Sequence, residues 1–203
     1  MNIIERIHAR GITACMKKAE ELVKPGHLAD IGTPKSRFNK ANIDCQTTAI
    51  DFNTDILPYA SSSLDVVVCE QVIEHLHNVT WFLDALKHIL KPGGQLLIAT
   101  ENLGSLPNIA MLVLGQAPIS TQPVCNQYIG GFKKGLLRPE HNLPNRNDPV
   151  FAGMTGHVRV LTTKQLLILL RQAGFVIDGV YHFCFRHFVL VDCHRAKHYN
   201  ITK

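Results

Sequence analysis

LDVVVCEQVIEHLHNVTWFLDALKHILKPGGQLLIATEN, residues 64–102, carries the pattern that decides the fold. Residues 64–69 form a short β-branched apolar run without alternation, as expected of a parallel strand covered on both faces. The run ends at Glu70. From Trp81 to Leu90 the residues Trp81, Phe82, Ala85, Leu86, Ile89 and Leu90 recur at helical spacing, which predicts a helix with Trp81, Phe82 and Leu86 in the core. Lys91, Pro92, Gly93 and Gly94 then supply a stop, and residues 95–100 form a second buried strand. Strand, crossover helix and strand in this span make a βαβ unit, whose connection is right-handed.

Outward from this unit, the other elements follow from punctuation. Residues 2–23 read as an amphipathic helix closed by Lys24-Pro25-Gly26, with Gly11 as a weak point. Residues 27–32 are a short strand running into a turn, and residues 47–50 a second one ending at Asp51. Thr162 or Thr163 caps a helix that ends at Gly174. Two strands, 175–183 and 188–193, meet at a turn near Arg186 and form an antiparallel hairpin. Residues 103–156, rich in Pro, Gly and Asn, make a long segment on the substrate side with one apolar stretch at 109–114; segments of this length inside a compact domain are usually functional.

The chain has 203 residues and 46% apolar composition, enough for a single domain over residues 1–203 that includes an N-terminal helix within 1–25. Its formal net charge of +5 is far from a nucleic-acid-binding signature, so nucleic acid is not expected as a partner. The six cysteines show no CxxC pairing and read as reduced core thiols of a cytoplasmic protein. No stretch reaches the roughly 18 apolar residues of a bilayer span, so no membrane insertion is expected. Nothing in the sequence sets an oligomeric state.

Four segments together resemble the class I S-adenosylmethionine-dependent methyltransferases of type 11 and type 23. LPYASSSLDVVV (57–68) is similar to LPF-x-D-x-SFD-x-V, QVIEHL (71–76) to EVIEHL, LKPGGQLLIATEN (90–102) to LKPGG-x-L-x-I-x-TPN, and GHVRVLTTKQLLILLRQAGF (156–175) to an H-x-R-x-F-T helix ending in GF. The resemblance implies a Rossmann-like α/β fold: a three-layer α/β/α sandwich on a mostly parallel sheet with an antiparallel last strand. The N-terminal half is short here, because only 21 residues separate Asp30 from Asp51 (51 − 30). It also implies S-adenosyl-L-methionine as cofactor and an oxygen or nitrogen atom as methyl acceptor. Residues 102–121 resemble members acting on sugars, which points to a saccharide or other small molecule.

By the resemblance, the cofactor lies along Asp30, Gly32, Asp51, Phe52, Asn53, Glu70 and Gln71. The family's first motif, D-x-G-x-G-x-G, departs here to Asp30-Ile31-Gly32-Thr33-Pro34-Lys35-Ser36. Pro34 lacks a backbone donor and has a fixed φ, so it cannot imitate glycine at positive φ. That departure keeps a catalytically inactive, methyltransferase-like binding protein as the alternative. Asp51 either ends the second strand and accepts the ribose hydroxyls, or it is a later adenine-side Asp and the second strand is missing.

Methyl transfer needs alignment of donor and acceptor and, for some acceptors, removal of a proton. His75 and His157 are the candidate bases, and Glu74 could orient a ring or ligate a metal. Gln71, three residues before Glu74, offers an amide, which is a poorer ligand than a carboxylate for a hard cation. No metal is therefore assigned from the sequence.

Overall fold

The computed structural model describes residues 3–32, 38, 43–48, 52–53, 55–121 and 157–197. In chain order the elements are α1 (Ile3–Leu22), β1 (Gly26–Ile31), β2 (Ile43–Thr48), β3 (Leu64–Glu70), a 3₁₀ turn (Ile73–His75), α2 (Val79–Ile89), β4 (Leu90–Glu101), α3 (Leu106–Val113), α4 (Thr163–Gln172), β5 (Phe175–Phe183) and β6 (Phe188–Arg195). The strands form one sheet in the order β2-β1-β3-β4-β6-β5. β2, β1, β3 and β4 run parallel to one another, and β6 is antiparallel to both β4 and β5.

Period-two alternation along the strands sends neighbouring side chains to two separate cores. Ala29, Val67, Cys69, Leu96, Ile98, Val189 and Val191 meet Phe82, Leu86, Leu166 and Leu170 of α2 and α4. Leu28, Val66, Val68, Leu97, Ala99 and Leu190 meet Cys15 and Ala19 of α1. Both faces are covered, which is why these strands read as continuous apolar runs. The result is the expected three-layer arrangement, closed by the reversed hairpin β5–β6. Gly11 is no weak point in α1: a Cβ there would lie 2.6 Å from Cδ2 of Phe188, so its absence lets the helix lie directly on β6.

Three local expectations change. The second strand, Ile43–Thr48, starts earlier than expected and pairs with β1 from Gly26↔Ile43 to Ile31↔Thr48. The Lys91–Gly94 stretch is drawn into β4, which pairs with β3 from Leu64↔Leu90 onward across an irregularity between Leu64 and Val66. Trp81 is 40% exposed, whereas Phe82 and Leu86 are fully buried. The Asn78 side chain caps α2 by accepting from Trp81 N–H, which starts the helix at Val79. Its buried stripe is then Val79, Phe82, Leu83, Leu86 and Ile89, and Trp81 falls beside it.

The 109–114 stretch is part of α3, capped by Ser105 Oγ, which accepts from Asn108 N–H. The helix before β5 has the expected cap, a reciprocal pair between Thr162 and Gln165. Among the described residues no helix is long and apolar enough to cross a membrane.

Candidate active site

The chain leaves β1 toward β2 on one side and places β3 on the other, so the strand order reverses between β1 and β3. Open α/β sheets bind ligands at the carboxyl ends of the strands at such a reversal. Those ends are Ile31-Gly32 and Glu70-Gln71. Gly32 has φ +95, and a Cβ on it would lie 2.3 Å from Cγ2 of Val72. Position 32 is therefore closed to any side chain, while its backbone remains available for close approach. Gln71 has φ +54 and donates its N–H to Ala99 O at 2.9 Å, which turns the chain off β3 into the 3₁₀ turn.

Asp30 is buried in β1, and by strand alternation it shares a sheet face with Glu70 on the neighbouring strand. Burial pushes the Cys69 thiol well up, and the nearby Glu74, Glu70 and Asp30 charges push it further, so these carboxylates gather around one strand end. The Asn53 side chain accepts from His77 N–H at 2.8 Å and donates to His75 O at 3.5 Å, a brace for the turn rather than a group aimed at a ligand. Phe52 stacks edge-on against Phe82, with centroids 5.7 Å apart. Asp51, Pro34 and Ser36 lie outside the described residues. β2 ends at Thr48, three residues before Asp51 in the chain.

The three catalytic candidates come together. Val158 N–H and Arg159 N–H both donate to Glu74 O, at 2.8 and 3.2 Å, which fixes the chain after His157 against the 3₁₀ turn. The His75 and His157 rings meet edge to face with centroids 4.9 Å apart. His75 is exposed, whereas His157 and Glu74 are buried. His157 Nδ1 lies 2.6 Å from Ser120 O. A carbonyl can only accept, so Nδ1 carries a proton, and in the neutral ring the lone pair is on Nε2.

Glu74 Oε2 accepts from the Thr100 hydroxyl at 2.9 Å, while no hydrogen-bond donor among the described residues reaches buried Oε1. Burial pushes the Glu74 carboxyl from its ordinary 4.5 up to about 7; Glu101 nearby adds to the rise, and hydrogen bonds to backbone and Thr100 oppose it.

The carboxyl end of β4 contributes residues that sequence reasoning missed. Glu101 is buried, with Oε2 4.0 Å from His157 Nδ1 and 3.8 Å from His187 Nε2. Asn102 Oδ1 accepts from Gly104 N–H and Thr163 N–H, and its amide donates to Arg186 O, joining β4 to the start of α4 and to the hairpin turn. The available signal was positional: Thr100, Glu101 and Asn102 are polar residues directly after a buried strand. His187 gave no such signal, because it reaches the site only through the β5–β6 turn.

Residues 37–179 match the family described as Methyltransferase domain. The chain belongs to that methyltransferase family. Over 84 residues it is 33% identical to a ubiquinone biosynthesis O-methyltransferase of Xylella fastidiosa, a match covering 41% of this chain and 30% of that enzyme. The aligned part thus spans less than a third of that relative's length.

Among solved structures, the methyltransferase chain is similar to the 1,6-didemethyltoxoflavin-N1-methyltransferase of Burkholderia thailandensis, solved with its substrate and S-adenosylhomocysteine bound. The TM-score is 0.57 at 13% identity, covering 95% of this chain and 85% of that one. It is also similar to an S-adenosylmethionine-dependent methyltransferase of Mesorhizobium loti, with TM-score 0.51 at 18% identity, covering 90% and 96%. At these identities the likeness establishes the Rossmann-like methyltransferase fold.

Proposed function

We propose that this chain is a methyltransferase that uses S-adenosyl-L-methionine and acts on an oxygen of a small molecule, a saccharide among them. The observation that carries this reading is Gly32, a position that admits no side chain, set at the strand-order reversal beside Asp30, Glu70 and Gln71. A crevice of this form accepts a ligand that needs close backbone approach on one side and hydrogen-bond acceptors on the other. Asp30, Gly32, Glu70 and Gln71 would hold the cofactor together with Asp51, while Phe52 and Asn53 support the neighbouring 3₁₀ turn and core. When bound, the cofactor supplies an electrophilic methyl group on a sulfonium sulfur.

The rest is work for the chain's own residues. His157, with Nδ1–H committed to Ser120 O, presents Nε2 as the proton acceptor for an acceptor hydroxyl. Glu74 and His75 orient that hydroxyl. The choice of oxygen over nitrogen rests on the ubiquinone biosynthesis O-methyltransferase relatives.

Pro34 and Ser36, standing where the motif has glycine, favour a second reading in which the chain binds the cofactor weakly or not at all and does not turn over. Calorimetric titration with S-adenosylmethionine and S-adenosylhomocysteine decides between them. Saturable binding that Asp51→Ala and Glu70→Ala each weaken supports the enzyme. Absence of binding in the wild type, restored by glycine at positions 34 and 36, supports the silent form.

A further inference from the structure

We propose that Glu74, His75 and His157 form a binding site for one divalent metal ion of the zinc, cobalt or manganese type. Each residue offers one ligand atom, and these atoms all lie within 4.8 Å of one another. Around an ion with bonds of about 2.0–2.2 Å, ligand atoms stand roughly 3.0–3.5 Å apart. Exposed His75 can close the difference by rotating its side chain.

The chemistry of the groups selects a transition-metal ion over calcium or magnesium. Two imidazoles and one carboxylate suit borderline transition ions, whereas calcium and magnesium take oxygen ligands throughout. The Glu74 residue is 1% exposed, and its Oε1 meets no hydrogen-bond donor among the described residues. A buried carboxylate oxygen in that condition calls for a cation. In the neutral ring, the bond from Nδ1–H to Ser120 O selects the tautomer with its lone pair on Nε2, the form that a metal requires.

Both buried ligands also have partners that orient them. Ser120 O holds His157 Nδ1–H at 2.6 Å, and Thr100 Oγ1 donates to Glu74 Oε2 at 2.9 Å. Metal-binding His and carboxylate residues are held in this way in established sites. Glu101 Oε2, 4.0 Å from His157 Nδ1, adds negative charge behind the ligand. The backbone bonds from Val158 and Arg159 to Glu74 O hold the two ligand-bearing segments together before any ion arrives. Exposed His75 marks the side from which the ion enters. Gln71, the residue that argued against a metal in the sequence, is not one of the three ligands.

Three protein ligands leave a tetrahedral ion one further position and an octahedral ion three. On the methyl-transfer reading the acceptor oxygen would take such a position, and an ion held by His157 Nε2 would lower the hydroxyl's pKa in place of that nitrogen acting as the base, so the substrate class is an oxygen acceptor that can ligate a metal. The ion site itself does not depend on that reading.

The test uses the full-length, tag-free protein, stripped with chelator and titrated with Co²⁺ while visible d–d absorption is followed, then with Zn²⁺ as competitor. One Co²⁺ per chain is expected, with bands that Zn²⁺ abolishes. His157→Ala and Glu74→Gln should each weaken binding by at least about tenfold, and Thr100→Val by about tenfold through loss of orientation. His77→Ala and His194→Ala should leave it unchanged. Circular dichroism confirms that each variant is folded.

Binding that is equal in folded wild type and folded His157→Ala, or absence of the d–d bands, overturns the site. Cofactor titration in chelator is read separately. Co²⁺ binding without cofactor binding sinks the enzyme reading and leaves the metal site standing. Cofactor binding in a protein without the d–d bands does the reverse.

Discussion

Replacing Gly32 by alanine isolates the feature on which the cofactor crevice depends. Two effects add at this position. The backbone has φ +95, which a side chain adopts at a cost of about 1–2 kcal/mol. The new Cβ would also lie 2.3 Å from Cγ2 of Val72, and overpacking of that kind costs about 1–3 kcal/mol. Gly32→Ala should therefore lower the unfolding free energy by about 2–5 kcal/mol.

A double-mutant cycle separates the two effects. Val72 is 5% exposed, so Val72→Ala alone should cost about 1–3 kcal/mol through lost burial and the cavity left behind. In the double variant the clash disappears and only the backbone strain remains, so the pair should be more stable than additivity allows by about 1–3 kcal/mol. Urea unfolding with unchanged m-values measures all four corners of the cycle. Calorimetry with S-adenosylhomocysteine on the double variant then reads the site with its steric conflict removed. Additivity of the two substitutions within about 0.5 kcal/mol would refute the contact as the reason for glycine here.

Other predictions concern charge, capping and the polar tie at the end of β4. In metal-free protein the Glu74 carboxyl rises from 4.5 to about 7 on folding, so the folded chain holds more protons between these values and stability falls as pH rises through that window. At about 1.4 kcal/mol per pH unit the loss approaches about 3 kcal/mol by pH 7. Glu74→Gln should flatten the slope in chelator, and an unchanged slope would place the titration elsewhere. Thr162→Ala removes the capping pair with Gln165 and should cost about 1 kcal/mol, with faster amide exchange confined to the first turn of α4. Asn102→Ala leaves the Gly104 and Thr163 N–H groups without their acceptor and should cost about 2–4 kcal/mol in thermal unfolding; a loss below about 1 kcal/mol would mean that water replaces the side chain.

Most of the scaffold was legible because its determinants are local. Strands β3 and β4 announce themselves as apolar runs, and a threonine cap at 162 or 163 and Gly174 bracket α4. Trp81 was misplaced for a local reason as well. The seven apolar residues from 81 to 90 fit more than one helical stripe, and the Asn78 cap sets the phase that turns Phe82 inward and Trp81 toward solvent. Lys91–Gly94 was read as a turn because Pro and Gly usually break a strand, yet here the stretch continues β4 past an irregularity in its pairing with β3.

The site was legible only in part. Glu74, His75 and His157 share a recognisable pattern, but Glu101 and His187 meet through antiparallel pairing of β4 with β6, in which Glu101 faces Phe188 across the ladder. No local spacing encodes that pairing, because it depends on which strand inserts beside β4.

The polar wall beyond β4 is built so that nearly every group serves another. Asn108 bonds Asn102 O and both the hydroxyl and the N–H of Ser120, Ser120 O holds His157, and Thr100 holds Glu74. In such a network a buried carboxylate oxygen with no donor is an exception that needs a cause, since it costs about 1–3 kcal/mol or more. Side chains of this size could have been apolar, as they are beside Glu74 in the chain at Ile73 and Leu76, both fully buried. Polar residues were kept instead at the one place where the 3₁₀ turn, the end of β4 and the segment at His157 converge. Each of the groups that orient Glu74 and His157 leaves one lone pair directed elsewhere, Oε1 on the first and Nε2 on the second. The wall is therefore complete as a hydrogen-bonded structure only when something electron-poor, a metal ion or an acceptor's hydroxyl proton, stands against it.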